Sequence, residues 1–150
     1  MAVDVLSEIV IDAPCDLVAA YAADPSNAPE WYANIVSVEW RTPPPRTAVE
    51  VGSRVTFIAR FMGRRWVYTY EITEYEPERR LVMRATEGPH DMETTYTWEP
   101  YGLDGTRTRM TLRNRGGPGH RFAEPAVRYA NRKDLRNLKA QMEWRMDPDA

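Results

Sequence analysis

The spacing of apolar residues changes period along the chain. "VDVLSEIVI" (Val3–Ile11) alternates: Val5, Ser7, Ile9 and Ile11 share one face, and Asp4, Leu6, Glu8, Val10 and Asp12 share the other. That period of two predicts a strand. In "DAPCDLVAAYAAD" the period lengthens. Leu17, Val18 and Tyr21 repeat at helical spacing, Asp12 can cap and Pro14 suits a first turn, so a short helix is expected. A second short helix follows, because Asn27 and Glu30 have capping-box spacing with Pro29 in the first turn; it carries Trp31 and Tyr32. From Val36 the period returns to two, through "VSVEWRT", a loop with prolines at 43–45, and five further apolar-alternating runs ending at "TRTRMTLRNR". After the glycine-rich break at 116–119, a long helix is predicted from about Ala123 to Trp144. Val127, Ala130, Leu135, Leu138 and Met142 form its apolar stripe, which Asn131 and Asp134 interrupt.

Turn chemistry then suggests registers. A two-residue turn at Gly63-Arg64 pairs Phe61 with Trp66, Ala59 with Tyr68, Phe57 with Tyr70 and Val55 with Ile72. The next hairpin pairs Glu87 with Met92, Ala85 with Thr94, Met83 with Tyr96 and Leu81 with Trp98. The last strand sets Thr108, Met110 and Leu112 against Trp98, Tyr96 and Thr94. These registers gather Phe57, Phe61, Trp66, Tyr68, Tyr70, Tyr96 and Trp98 on one face. Large aromatics can fill a solid core, but buried tyrosine hydroxyls need partners that the helix stripe scarcely supplies. Apolar walls with a few polar groups describe a small-molecule pocket. The predicted lining is Phe57, Tyr68, Tyr70, Met83, Tyr96, Trp98, Met110 and Leu135, with Trp31 near one end as plug, ligand contact or both, and Glu87 towards an opening.

Composition narrows the chemistry. A length of 150 residues favours one domain, 1–150. The single cysteine, Cys15, excludes an internal disulfide and suits a reducing, cytoplasmic setting. No apolar run approaches the ~20 residues that span a bilayer, so no membrane insertion is expected. His90 and His120 lie too far apart in sequence for a zinc spacing, and no phosphate loop, dinucleotide fingerprint or Ser-His-Asp order is present; no cofactor is expected. Glu87 could serve as a general base if buried, or be solvated at its strand end. His90 lies near it, and Tyr68 and Tyr70 are further candidates for proton donation or acceptance.

Net charge is −2, yet residues 107–150 carry eleven bases against five acids. On the last strand Arg107, Arg109, Arg113 and Arg115 share the outward face. Asp4, Glu8 and Asp12 on one side and Glu93 and Glu99 on the other can neutralise them, with Glu99 opposite Arg107 and Glu93 opposite Arg113. Compensated charge argues against nucleic acid as a partner. The helix face Arg128–Arg132–Arg136 could meet an anionic membrane but lacks bulky residues that enter lipid.

The order of "IVIDAP" (9–14), "DPSNAPEW" (24–31), "ITEYEPERRL" (72–81), "WEPYGLDGTR" (98–107) and "LRNLKAQME" (135–143) resembles the START-like, or SRPBCC, superfamily, closest to its polyketide cyclase/dehydrase-like branch. The resemblance spans nearly the whole chain. It implies an α+β helix-grip fold: a curved seven-stranded antiparallel sheet around a long C-terminal helix, two short helices after strand 1, and a cavity between sheet and helix. It implies a small hydrophobic ligand, aromatic or polycyclic, handled by a carrier or by a cyclase or dehydratase that works chiefly by folding its substrate. A partner-binding module like the co-chaperone branch is the alternative, and a monomer or homodimer is expected. Because one fold hosts many functions, the site has to choose among them.

Overall fold

The computed structural model describes residues 3–41, 49–61, 63–88, 91–117 and 124–149. Strand β1 (Val3–Ile11) leads into helix α1 (Cys15–Ala23), a 3-10 turn (Pro25–Asn27) and helix α2 (Ala28–Trp31). Six strands follow: β2 (Ile35–Trp40), β3 (Arg54–Phe61), β4 (Arg64–Glu76), β5 (Arg80–Glu87), β6 (Asp91–Tyr101) and β7 (Arg107–Gly117). Helix α3 (Glu124–Met146) ends the chain. The strands form one antiparallel sheet in the order β1-β7-β6-β5-β4-β3-β2. The predicted prolines at 43–45, His90, His120 and the helix start at Ala123 lie outside the described residues.

Faces match the alternation, whereas three registers differ from those expected, each by two residues. Phe57 pairs with Tyr68, Ala59 with Trp66 and Phe61 with Arg64. Leu81 pairs with Tyr96 and Met83 with Thr94. Trp98 pairs with Met110, Tyr96 with Leu112 and Thr94 with Asn114. A slip of two leaves every side chain on its face, so the apolar pattern cannot detect it; only the turn can. In the first hairpin Gly63, at φ 75°, takes the second loop position rather than the first. Glu87 faces Thr69 of β4, not Met92, next to a bulge between Thr69 and Tyr70.

The slip also reassigns the ion pairs. Arg109 lies 2.7 Å from Glu8 and 3.4 Å from Glu99, bridging β1 and β6. Arg113 makes two hydrogen bonds to Asp4, which hold that carboxyl below its usual pKa. Glu93 faces Arg115 rather than Arg113. Arg107 faces Tyr101 and stacks over its ring at 5.5 Å, not over Glu99. All are solvated, so each contributes little to stability.

The helices close the concave face. Val18, Ala19, Ala22, Trp31, Leu135, Leu138 and Met142 join Ile11, Ile72, Leu81, Met110 and Leu112 in one core. The buried stripe of α3 is Asn131, Asp134, Leu135, Leu138 and Met142; Val127 and Ala130 are only partly covered. Side chains of α3 meet the unpaired edge of β1. Asp4 N–H donates to Glu124 and Asp12 N–H to Glu143, while Lys139 donates to the Val10 carbonyl and Arg128 to that of Leu6. The expected caps take other work. Pro14 precedes α1 without a side-chain cap, Asp24 caps the 3-10 turn through Ser26 N–H, and Asn27 bonds the Tyr21 carbonyl instead of capping α2.

Gly116 tests the sheet's closure. A Cβ there would sit 2.0 Å from the Asp91 carbonyl oxygen and 2.9 Å from Met92 Cα, at φ 153°. Both obstacles are backbone of the paired strand. Gly116→Ala should therefore destabilise the protein by about 2 kcal/mol or more. Urea unfolding would register this as a lower midpoint, and an unchanged midpoint would contradict the β6–β7 register.

Candidate functional site

Helix α3 runs along β1 and α2, and α1 meets β6 and β7. Over β3–β6 lies a cavity of about 200 Å³. Phe57 and Ala59 of β3, Tyr68 and Tyr70 of β4, and Met83 of β5 form one wall. Thr94 and Tyr96 of β6 and Asn114 of β7 form another, and Tyr32 and Ile35, just after α2, close it. Pairing explains this grouping. Phe57–Tyr68, Met83–Thr94 and Thr94–Asn114 are direct cross-strand partners, so the cavity follows adjacent rungs of the sheet.

Five predicted lining residues meet there: Phe57, Tyr68, Tyr70, Met83 and Tyr96. Trp98, Met110 and Leu135 do not; they are buried in the adjoining core. Glu87 is exposed and outside the lining. Trp31 is 1% exposed and also outside the lining. Its ring lies 4.1 Å from that of Tyr32 and 5.8 Å from that of Tyr96. It therefore backs the two tyrosines, and its carbonyl is held by Asn137 of α3. Tyr32, Ile35, Ala59, Thr94 and Asn114 were not anticipated. Thr94 and Asn114 share the parity of Tyr96 and Leu112, so the correct register would have revealed them.

Polar groups gather on one side of this cavity. The Tyr32 and Tyr96 hydroxyls hydrogen-bond each other at 2.5 Å. Thr94 donates to Asn114 Oδ1, and Asn114 Nδ2 donates to Asn131 Oδ1 on α3. Asn131 Nδ2 is buried with no partner among the described residues. Asp134, one helical turn further on, accepts from the Ala33 N–H at 3.0 Å. Burial pushes its carboxyl up to about 6, against the opposing pull of the Ala33 N–H and Lys133. Burial also pushes Tyr70 up to about 12 and raises Tyr32 and Tyr96 well above the usual phenol value. At neutral pH these phenols are protonated and act as hydrogen-bond donors. Asp134 is the group near them whose pKa lies close to neutrality. Among the described residues no group of three His, Cys, Asp or Glu side chains is placed to hold a metal. No helix among them is long and apolar enough to cross a membrane.

A curved sheet gripping a long C-terminal helix, with two short helices after β1, is the helix-grip α+β fold. The chain belongs to the family described as polyketide cyclase/dehydrase and lipid transport, whose model matches residues 2–143. The structure is similar to that of the Zhui aromatase/cyclase from a Streptomyces species (TM-score 0.78, 18% identity, covering 100% of this chain and 99% of that one). It is also similar to a START superfamily protein from Mycobacterium smegmatis (0.74, 14%, 94% and 97%), and to major latex-like protein 151 from Panax ginseng (0.74, 14%, 94% and 97%). No curated protein matches the sequence significantly.

Asp134 supplies a test of the site's electrostatics. Its folded pKa, about 6, exceeds the ordinary 3.8, so the folded state binds the extra proton between these values. Its contribution to stability is full below about pH 4 and is lost as pH rises through 6. Asp134→Asn keeps an acceptor for the Ala33 N–H and removes the charge. It should be more stable than wild type by ~1–3 kcal/mol at pH 8, with the difference vanishing near pH 4. Urea titrations at the two pH values measure this, and a variant destabilised at pH 8 would contradict a buried, unpaired carboxylate.

Proposed function

We propose that the chain acts as a single START-like domain that binds one small hydrophobic molecule, an aromatic ring bearing a hydrogen-bonding oxygen, in the cavity over β3–β6. The observation that carries this reading is the combination of apolar walls (Phe57, Ile35, Met83) with donors on one side (Tyr32, Tyr96, Asn114) in a space of about 200 Å³. A dry cavity of roughly 150 Å³ takes benzene, and drug-sized ligands need roughly 300–1,000 Å³. One substituted ring fits this volume. A polycyclic ligand requires Tyr68 and Tyr70, both partly exposed, to swing outward.

A catalytic reading, that of a cyclase or dehydratase, rests on the paired phenols. Since each hydroxyl carries one proton, the Tyr32–Tyr96 bond uses one and leaves one to donate. A ligand carbonyl oxygen there would be polarised, making its α-protons more acidic and its carbon a better electrophile for ring closure. Asp134 lies outside the cavity lining but close enough for its charge to act on the Tyr32 and Tyr96 hydroxyls, so it would take the proton by way of that pair, and the shape of the pocket would select which carbon attacks. The similar Streptomyces protein is an aromatase/cyclase, which agrees with this chemistry. The carrier reading needs no proton acceptor, so Asp134 separates the two.

An apolar fluorescent probe should bind the folded protein one to one. Tyr70→Trp should lower its affinity at least 10-fold without lowering the unfolding midpoint, because the added ring occupies open space. If wild type binds no probe and Tyr70→Trp costs the ~1–3 kcal/mol of an overpacked core, the site is solid and the ligand-binding reading fails.

A further inference from the structure

The β3–β4 hairpin runs past its neighbours. The last β2–β3 pair is Ile35 with Ala59, and the last β4–β5 pair is Thr69 with Glu87. Residues 60–61 and 64–65 thus pair with each other beyond the last rung on either side, a short two-stranded ribbon whose one tie to the neighbouring chain among the described backbone bonds is the Arg60 N–H donating to the Asn34 carbonyl. Such a ribbon is marginal in water, and this one carries an added penalty. Arg60 and Arg65 are direct cross-strand partners, and like charges placed opposite each other repel. Among the described residues neither they nor Arg64 has a carboxylate within 4 Å, although every Asp and Glu of the chain is described. The contrast with β7 is direct, since Arg109, Arg113 and Arg115 are all in ion pairs.

The ribbon's other face carries Phe61 and Trp66, with Arg64, the cross-strand partner of Phe61, beside them. Phe61 is 52% exposed at the tip. Trp66 is partly exposed, with the Arg64 guanidinium 5.0 Å from its ring centroid. The next residues inward on that face are Ala59 and Tyr68, which line the cavity. Folding accounts for neither the unpaired arginines nor the exposed phenylalanine.

We propose that this ribbon docks the protein on an anionic lipid surface, with the cavity wall turned towards the bilayer. Arginines beside an aromatic tip suit the boundary layer, where guanidinium groups meet headgroup phosphates and carboxylates and aromatic rings sit among the upper acyl carbons. The shape agrees. A projecting tip enters a soft layer, whereas a peptide or a partner helix needs a groove. Duplex nucleic acid would engage the arginines and leave Phe61 in water. The contact is peripheral, and no helix among the described residues is long and apolar enough to cross a membrane.

Flotation of the full chain with vesicles is the test, using phosphatidylcholine alone and phosphatidylcholine with about one-third phosphatidylserine. The protein should float with the anionic vesicles only, and less so as salt rises from about 0.1 M to 0.5 M. Arg60→Glu separates docking from folding. It sets a carboxylate opposite Arg65, so thermal stability should hold or rise, while vesicle affinity should fall roughly 10-fold or more. Phe61→Ser should weaken binding several-fold, Arg132→Glu on α3 should leave it unchanged, and probe binding in the cavity of Arg60→Glu should equal wild type without lipid. The proposal is overturned if wild type ignores anionic vesicles or floats equally with neutral ones, or if Arg60→Glu binds lipid like wild type or loses the probe. It is likewise overturned if Arg132→Glu abolishes flotation, or if duplex DNA binds more tightly than vesicles.

Discussion

The contact between α3 and the edge of β1 governs the rest of the structure. An edge strand exposes amides and carbonyls that water or another chain would otherwise pair. Here Glu124, Arg128, Lys139 and Glu143 meet them from one helix, while Leu135, Leu138 and Met142 fill the space beneath. That anchors the helix at one side of a curved sheet. Over β3–β5 the cavity is bounded by Tyr32 and Ile35, just after α2, and by the aromatics of the strands.

The same constraint explains why the helix buries two polar residues. Where α3 leaves the packed core, its inward positions become Asn131 and Asp134. Each engages a different partner: Asn131 extends the Thr94–Asn114 chain, and Asp134 holds the backbone at Ala33, just after α2. Burying them costs stability, as the displaced pKa of Asp134 records. In return Tyr32 is fixed against Tyr96 with Trp31 behind both. The tryptophan thus acts on the site through the tyrosines it supports.

Much of this was legible in the sequence, and the failures share a cause. The alternation of Val3–Ile11 and of β3 to β7 placed side chains on the correct faces, because parity survives any even slip. It could not fix the rung, so Thr94 and Asn114 were missed while Trp98 and Met110 were assigned to a cavity they only border. Parity itself fails at a bulge. Glu87 has the concave parity of Met83 and Ala85, but beyond the irregularity at Thr69 and Tyr70 it stands exposed. Asp134 could be seen interrupting the apolar stripe. Its partner, the Ala33 amide, is 101 positions away, and only the tertiary structure brings the two together.

The concave face over β3–β5 holds open space with a polar side. Nuclear magnetic resonance of protein labelled at its methyl groups, titrated with a phenol or an aromatic ketone of one ring, reads this directly. The account predicts saturable shifts at Met83 and Ile35, which line the cavity, and none at Leu138 or Met142, which lie in the filled core. Unmoved Met83 and Ile35 methyls at saturating ligand, or shifts centred on Leu138 and Met142, would contradict it.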